Sequence, residues 1–254
     1  MKIKKQLKKL PFYLFIKGII LKLRNRKKVL QDLSNEKKLF GQIISNGNLC
    51  FDVGANIGER TKFFLSLGAM VVAVEPQPSC LKNLKKKYKN NKYVTIVEKG
   101  LSDAPGLIKM AVCDDSPTIS TMSEKWRLEG RFSTAYKWDR FIDVNLTTLD
   151  SLIESYGVPK YCKIDVEGYE YNVIKGLKTP IEYLSFEFTK EFVDDAEKCL
   201  DYLSQLGTIE VNIILSPGTY FTSFGNPSSI IQIIKENPNK LFTGDIMVHF
   251  IQKA

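Results

Sequence analysis

The sequence has one histidine and five cysteines, too few and too scattered to indicate a metal centre. The cysteines stand at positions 50, 80, 113, 162 and 199, and no two form a C-x-x-C pair or lie beside the histidine. The pattern therefore predicts neither a zinc site nor a disulfide framework. Scattered thiols favour a reducing, cytoplasmic compartment. The histidine, His249, lies in an apolar C-terminal stretch, where a structural role is more typical than catalysis.

Most of the sequence, residues 39–254, also lacks an excess of basic residues. Residues 1–38 hold 13 of the 37 basic residues and 2 of the 28 acidic ones, which leaves 24 basic and 26 acidic residues for 39–254. We expect residues 39–254 to form one nearly neutral domain that follows a basic N-terminal arm. A body without a basic face is atypical of a nucleic-acid-binding protein.

The arm contains an apolar stretch, residues 10–21, that is too short to cross a bilayer. It resembles a signal peptide, but residues 25–28 are Asn-Arg-Lys-Lys, which is not a small-residue cleavage site. A lysine-flanked helix at the inner face of a membrane fits this pattern, with its apolar side chains among the headgroups. The alternative is a basic helix that packs on the body or is partly disordered.

The turn at residues 51–58 lacks the middle glycine of the dinucleotide fingerprint G-x-G-x-x-G. Gly54 and Gly58 follow the apolar run Leu49–Val53, and Asn56 replaces the glycine that lets the backbone approach a pyrophosphate. All three residues tolerate the positive φ that a tight strand-to-helix turn needs. The turn therefore disfavours a nicotinamide dinucleotide.

A second apolar strand, residues 71–74, ends at Glu75, about 20 residues beyond the glycines, where a ribose-binding acid belongs. Its carboxylate can accept hydrogen bonds from both ribose hydroxyls. The turn's N–H groups and Asn56 can meet a methionine carboxylate, and Asp52 can accept from an ammonium group. Together these residues predict a pocket for S-adenosylmethionine, a nucleoside without a diphosphate, and hence methyl transfer. The alternative is a solvated glutamate at a strand end.

A third strand, residues 94–97, leads to Leu101, Ser102 and Asp103. In a doubly wound sheet this strand end also opens onto the ligand crevice. We expect Leu101 to pack against adenine and Ser102 or Asp103 to reach its exocyclic amine. A plain turn is the alternative.

A predicted strand over residues 161–170 carries Lys163, Asp165 and Glu167 at alternating positions, hence on one face. Glu187 lies inside the next predicted strand. Because buried unpaired charge is costly, these groups must pair or meet a ligand. We expect Asp165 nearest the cofactor, Glu167 or Glu187 as base or hydroxyl anchor, and Lys163 paired with them. A structural salt-bridge network is the alternative, and we assign no metal.

Alternating strands and helices predict a three-layer α/β sandwich around a seven-stranded, mostly parallel sheet. Residues 104–146 form a predicted insertion with two strands, Leu107–Val112 and Phe141–Leu146, and no strong helix. Trp126 and Trp138 lie between these strands, where exposed aromatic rings would suit a sugar. A partly ordered excursion is the alternative.

Five segments resemble, in order, the motifs of the FkbM-type methyltransferases. They are Asp52–Gly58, Glu75-Pro76, Leu101–Asp103, Thr148–Asp150 and Lys163–Glu170, within residues 45–190. The resemblance implies a class I, Rossmann-like fold and O-methylation of a hydroxyl with S-adenosylmethionine. The substrates it implies are mainly sugars, glycans and secondary metabolites. The expected cofactor-binding residues are Asp52, Gly54, Ala55, Asn56, Gly58, Glu75, Pro76, Leu101, Ser102 and Asp103.

We therefore expect an O-methyltransferase for a hydroxyl of a sugar, glycan or lipid-linked saccharide. Two alternatives stay open, namely methylation of nucleic acid or protein and a non-catalytic scaffold at a membrane surface. The nearly neutral body, without a groove of basic and aromatic residues, argues against nucleic acid. The intact Asp52, Gly54, Gly58 and Glu75 argue against a vestigial pocket.

Overall fold

A central sheet with helices on both faces organises the protein, as seen in a computed structural model that describes residues 31–215, 219–220 and 223–251. The strands are β1 (Leu49–Val53), β2 (Met70–Val74), β3 (Val94–Val97), β4 (Gly100–Leu101), β5 (Gly106–Val112), β6 (Arg140–Thr147), β7 (Tyr161–Ile164), β8 (Tyr183–Thr189), β9 (Ile209–Leu215), β10 (Thr219–Tyr220) and β11 (Thr243–Phe250). The helices are α1 (31–40), α2 (Glu59–Leu65), α3 (Pro78–Tyr88), α4 (Glu124–Glu129), α5 (Leu149–Tyr156), α6 (Glu170–Lys175), α7 (Val193–Leu206) and α8 (Pro227–Glu236). The apolar stretch of the predicted arm lies outside the described residues.

The main sheet has the strand order β10-β9-β11-β8-β7-β1-β2-β3. Strands β1, β2, β3, β7 and β8 run parallel, whereas β11 is antiparallel to both of its neighbours. The predicted mostly parallel α/β sheet is confirmed, and the two-residue β10 adds an eighth strand at its edge. The parallel strands place their carboxyl ends on one edge, where ligands of such sheets bind.

The central strands are apolar on both sides because helices cover both faces. Phe51 and Val53 of β1 belong to a core shared with α5, α6, α7 and α8. Cys50 points the other way and packs with Phe40 and Phe64 near α1 and α2. The alternation along one strand thus joins two cores and fixes the three layers.

Helix α1 includes residues that the sequence analysis assigned to the arm. Glu36, only 7% exposed, forms an ion pair with Arg60 of α2, and Phe40 is buried in the core. The end of α1 therefore packs on the body. Within the described part of the chain, no helix combines the length and the apolar character needed to cross a membrane.

Strands β5 and β6 of the insertion join β4, which precedes it, in a separate sheet of order β4-β6-β5, and α4 lies between β5 and β6. This short helix was not predicted; it begins where Ser123 Oγ accepts the backbone N–H of Trp126 at 3.1 Å. The expectation of exposed indole rings is wrong, because Trp126 and Trp138 are only 4% and 7% exposed. Both rings pack within the insertion or against the domain, so neither is exposed at the protein surface.

The charged strand is shorter than predicted, because β7 ends at Ile164. The N–H of Asp165 still bonds to the carbonyl of Val53 at 3.0 Å. Glu167 and Gly168 then take φ angles of 55° and 86°, which turn the chain away from the sheet. Glu167 therefore reaches its position from a turn.

Candidate active site

The β1–α2 turn has the geometry that its sequence predicts. Gly54, Asn56 and Gly58 all have positive φ, at 83°, 49° and 79°. A Cβ on Gly54 would stand 1.8 Å from the carbonyl oxygen of Asp165, so only glycine lets the turn approach β7 this closely. The N–H groups of Gly54 and Ala55 both bond to the carbonyl of Val74 at 3.0 Å. The turn is thereby fixed against the ends of both neighbouring strands.

Glu75 follows β2 and is 3% exposed. Its two carboxylate oxygens accept the backbone N–H groups of Asn56 and Gln77, each at 2.8 Å. Burial raises the pKa of Glu75 to about 7, and these two hydrogen bonds oppose the rise. Each oxygen keeps a lone pair for a further donor. The carboxylate is therefore oriented for hydroxyl groups such as those of a ribose.

A crevice runs along the carboxyl ends of β1, β2 and β7, and we call it the cofactor crevice. Among the residues that line it are five of those predicted to bind the cofactor, namely Gly54, Asn56, Glu75, Pro76 and Leu101. Asp165 and Glu167 line it as well. One half of the predicted cofactor set thus faces the same space as two predicted catalytic residues.

The other predicted cofactor residues lie behind that lining. Asp52 is buried under the turn and accepts a hydrogen bond from Thr61 Oγ1 at 2.5 Å; burial raises its pKa to about 6. Ala55 and Gly58 shape the turn through their backbone. The contact of Asp52 with an ammonium group stays a prediction, since its side chain has a protein partner.

Ser102 and Asp103 also have protein partners. Ser102 Oγ donates to Asp103 Oδ1 at 3.1 Å and lies 3.3 Å from the hydroxyl of Tyr169. Asp103 pairs with Lys175 at 2.7 Å, and this hydrogen bond holds the pKa of Asp103 below its usual range. Their contact with an adenine amine stays a prediction.

Gln77 is a crevice residue that the sequence analysis missed. It is 4% exposed, and its Nε2 donates to the carbonyl of Pro117 at 3.1 Å. Its Oε1 has no hydrogen-bond partner among the described residues. Buried, unpaired acceptors are rare. A ligand with N–H or O–H donors, such as the adenosine part of S-adenosylmethionine, would satisfy this oxygen, so the crevice fits that cofactor chemically.

Residues 117–122, which we call the strap, cross the crevice from the insertion. Thr118 and Met122 line the crevice, and Thr121 Oγ1 donates to the carbonyl of Glu167 at 2.6 Å. The strap leaves a space of about 40 Å³, well below the roughly 300–1,000 Å³ of small-molecule sites. As it stands, the crevice is therefore too small for a nucleoside, and the strap is one of its walls.

Asp165, Glu167 and Glu187 form an acidic cluster whose carboxylate oxygens lie within 4.8 Å of one another. Over the described ranges, no other three His, Cys, Asp or Glu side chains approach this closely. Such oxygen ligands suit a divalent cation, and they equally suit a hydroxyl that must lose a proton. The structure thus brings together three residues predicted to be catalytic, and their catalytic role stays a prediction.

The turn that carries Glu167 is clamped by buried groups. Glu170 Oε1 accepts the N–H groups of Val166 and Gly168 at 3.1 and 3.2 Å, and burial raises the pKa of Glu170 to about 7. A Cβ on Gly168 would stand 2.8 Å from the Cβ of Trp126. The insertion and α6 therefore hold the acidic cluster in place.

Burial raises the pKa of both Glu167 and Glu187 well above the usual glutamate range, and neighbouring carboxylates add to the rise. Lys163 opposes it. The Lys163 Nζ lies 2.6 Å from Asp245 Oδ1 and 3.4 Å from Asp165 Oδ2. Burial favours neutral Lys163, but these two carboxylates outweigh it and raise its pKa, so the buried lysine stays charged. The predicted pairing of Lys163 with the cluster is present.

A second cavity, of about 360 Å³, lies beside Glu187. It is bounded by α4, α6, α7 and the end of β8, and we call it the second cavity. Glu187 lines this cavity, Asp165 and Glu167 line the cofactor crevice, and Met122 lines both. The acidic cluster therefore stands between two spaces.

His249 lies away from both spaces. Its Nδ1 is 2.8 Å from Glu210 Oε1, and its ring stacks on Tyr183 with centroids 4.4 Å apart. It lines neither the cofactor crevice nor the second cavity. These contacts agree with the structural role that we predicted.

Comparison with known proteins gives a family match. Residues 52–209 match the methyltransferase FkbM domain. The chain is 28% identical over 163 residues to the hexuronic acid methyltransferase AglP of Haloferax volcanii, a match that covers 62% of each protein. The aligned part thus spans less than two thirds of that relative's length.

Solved structures with similar folds include a precorrin methyltransferase and a fibrillarin with a bound cofactor. The precorrin-6y C5,15-methyltransferase of Geobacter metallireducens has 12% identity and a TM-score of 0.43, with 88% of this chain and 87% of that one covered. Fibrillarin of Aeropyrum pernix, with bound S-adenosyl-L-methionine, has 8% identity and a TM-score of 0.43, with 81% and 68% covered.

Proposed function

We propose that this chain, which belongs to the FkbM methyltransferase family and uses S-adenosylmethionine as its methyl donor, methylates a hydroxyl of a sugar, glycan or lipid-linked saccharide. The observation that carries the proposal is the acidic cluster between the cofactor crevice and the second cavity. A donor on one side and an acceptor on the other would meet at these carboxylates. The name of the Haloferax relative supports a sugar as the acceptor class.

The residues that would hold the cofactor are those of the crevice. Glu75 would accept ribose hydroxyls, Gln77 Oε1 would accept a donor from the nucleoside, and Leu101 would pack against a ring. The chemistry that the cofactor supplies is an electrophilic methyl group, whose bond to sulfur breaks as the acceptor oxygen bonds to its carbon. Positioning alone provides much of the acceleration of such a displacement.

The acidic cluster would handle the proton of the acceptor hydroxyl. Glu187 or Glu167 accepts this proton, and Asp165 lies on the cofactor side. Their raised pKa values bring the cluster closer to the operating pH, where a base adds about 10²–10⁴-fold to the rate. Lys163 balances the charge of Asp165 and Asp245 beneath them.

The test is transfer of a tritiated methyl group from S-adenosylmethionine to separated cell fractions. We expect label in a polysaccharide or lipid-linked oligosaccharide fraction, and we expect it to survive mild alkali because a methyl ether is stable to base. Alkali-labile label would identify a carboxyl ester and overturn the hydroxyl assignment. Label confined to RNA or protein would overturn the saccharide assignment.

We also propose that the basic arm meets an anionic membrane surface. The support is its lysine-flanked apolar sequence over residues 1–30. In a flotation assay, the full-length protein should float with phosphatidylglycerol vesicles. Replacement of Lys4, Lys5, Lys8 and Lys9 with glutamate should abolish flotation, and equal flotation of both proteins would contradict the proposal.

A further inference from the structure

The second cavity has a side-chain lining that the cofactor does not explain. Its volume of about 360 Å³ lies within the roughly 300–1,000 Å³ range of small-molecule sites. Trp126, Tyr169 and Phe192 supply aromatic surface, while Glu187 and Thr189 supply polar groups. The lining thus combines aromatic and polar groups, and Glu187 connects this cavity to the acidic cluster.

Trp126, one of the residues that line this cavity, has an unused hydrogen-bond donor. It is 4% exposed, and its Nε1 has no hydrogen-bond partner among the described residues. Trp138, which is comparably buried, donates its Nε1 to the carbonyl of Ile119 at 2.8 Å. The same insertion therefore satisfies one indole and leaves the other unpaired. An unpaired buried donor costs about 1–3 kcal/mol, so it points to a ligand that supplies an acceptor.

The charges around the second cavity disfavour an anionic ligand. Its lining carries four acidic side chains against two ammonium groups: Glu124, Glu170, Glu187 and Asp195 against Lys125 and Lys198. Burial raises the pKa of Glu170 and Glu187, which lowers their share of the negative charge near neutral pH. Both lysines pair with Asp195, at 2.6 and 2.8 Å. A ligand carboxylate would compete for these paired lysines and would lie near Glu187. An uncharged or cationic ligand avoids both penalties.

We propose that the second cavity is the acceptor site and takes an uncharged or amino-substituted pyranose in preference to a uronate, with Trp126 Nε1 donating to one of its oxygens. The inference rests on the proposed methyl transfer. A pyranose offers ring and hydroxyl oxygens to Trp126, an apolar C–H face to Phe192, and a hydroxyl to Glu187. The preference separates this chain from the relative named for hexuronic acid.

The two tryptophans of the chain provide a direct test. In a ¹⁵N spectrum of the full-length protein, the indole N–H signals of Trp126 and Trp138 report the site and a matched internal control. With S-adenosylhomocysteine present, we would titrate maltohexaose, a chitosan hexamer and a hexagalacturonate. The Trp126 signal should move with maltohexaose or the chitosan hexamer, while the Trp138 signal stays in place. The dissociation constant for the hexagalacturonate should be at least tenfold higher.

Trp126→Phe removes the donor and keeps most of the ring. It should raise the KM of the methylated saccharide about 2- to 12-fold, the range expected for one lost neutral hydrogen bond, and leave the affinity for S-adenosylhomocysteine within twofold. If Trp126→Phe does not fold, Trp138→Phe still assigns the remaining signal, and the titration of the unaltered protein decides.

Two results would overturn the inference: a Trp126 signal that no saccharide moves, or tighter binding of the hexagalacturonate. Its failure can be told apart from failure of the proposed function. Methyl transfer to a saccharide with a stationary Trp126 signal would refute this acceptor site and leave the transfer standing. A moving signal without transfer to any saccharide would refute the proposed reaction and leave a saccharide site.

Discussion

The cofactor crevice and the second cavity lie on either side of one acidic cluster, but different parts of the chain build them. Backbone geometry builds the crevice, through the positive φ angles of Gly54 and Asn56 and the N–H groups that hold Glu75. Side chains of the insertion, α6 and α7 build the cavity, and the buried Trp126 is one of its walls. Under the proposed assignment of the two spaces, donor recognition would depend on main-chain shape and acceptor recognition on individual side chains.

Substitution of Glu187, at the boundary between the two spaces, should have the largest effect on turnover. Glu187→Gln keeps the shape of the side chain but removes its ability to take a proton, so turnover should fall about 10²–10⁴-fold. Because Glu187 does not line the crevice, calorimetry should find nearly unchanged affinity for S-adenosylhomocysteine.

Glu182→Gln is the matched control, since Glu182 pairs with Lys160 away from the cluster. Asp165→Asn and Glu167→Gln should also lose turnover and largely keep cofactor binding. Near-normal turnover in all three cluster variants would show that the cluster is a structural salt-bridge network and takes no part in the reaction.

The backbone character of the crevice can be tested at Gly54. In Gly54→Ala, the new Cβ would meet the Asp165 carbonyl at 1.8 Å, so the turn must shift. Overpacking of this kind costs about 1–3 kcal/mol, and if the shifted turn passes that cost to the bound state, binding of S-adenosylhomocysteine should weaken about 5- to 150-fold.

Gly47→Ala is the control, because Gly47 has a similar φ of 82° with nothing near its missing Cβ. It should lower stability by about 1–2 kcal/mol through the left-handed conformation alone and leave binding unchanged. Equal effects of the two substitutions on binding would show that close approach does not matter.

The backbone-built half of the site is the half that sequence predicts well. Gly54, Asn56 and Gly58 signal their φ angles through residue type, and Glu75 follows a strand whose apolar run is plain. The acidic cluster was predicted with the right residues for a partly wrong reason. Glu167 reaches it from a turn, while Glu187 reaches it because β7 and β8 pair in parallel.

The side-chain-built half could not be predicted in the same way. The strap depends on contacts between distant positions, such as Gln77 with Pro117 and Thr121 with Glu167, which no local pattern records. Trp126 lies in a polar, aromatic stretch that predicts an exposed, sugar-binding ring, but the ring packs beside Gly168. Burial of an aromatic ring inside an insertion is decided by tertiary packing.

Glu75 provides a side-chain exception within the backbone-built crevice. In Glu75→Gln, the amide N–H₂ would face one of the N–H donors of Asn56 and Gln77, and a charged acceptor for ribose would be lost. Hydrogen bonds to charged groups contribute about 1.5–3 kcal/mol, so S-adenosylhomocysteine should bind about 10- to 100-fold more weakly. Turnover at saturating cofactor should be largely kept.

Glu98→Gln serves as the control, because Glu98 is half exposed and pairs only with Lys85 among the described residues. Unchanged affinity in Glu75→Gln would remove Glu75 from cofactor recognition.

The pH dependence of the reaction should show the smallest effect. The pKa of Glu187 lies well above 4.5, and only its ionised form accepts a proton. The kcat/KM for the acceptor should therefore rise with pH through this raised pKa and fall about tenfold per unit below it. Glu187→Gln should remove this acidic limb. A profile of the unaltered protein that is flat from pH 5 upward would contradict a base with a raised pKa.

A crystal structure with S-adenosylhomocysteine tests the central claim most directly. We predict that the strap is displaced, that the ribose lies at Glu75, and that the sulfur faces Asp165 and Glu167 across from the second cavity. An empty crevice, a sulfur atom turned away from the acidic cluster, or density for a dinucleotide at the β1–α2 turn would contradict the assignment of the two spaces.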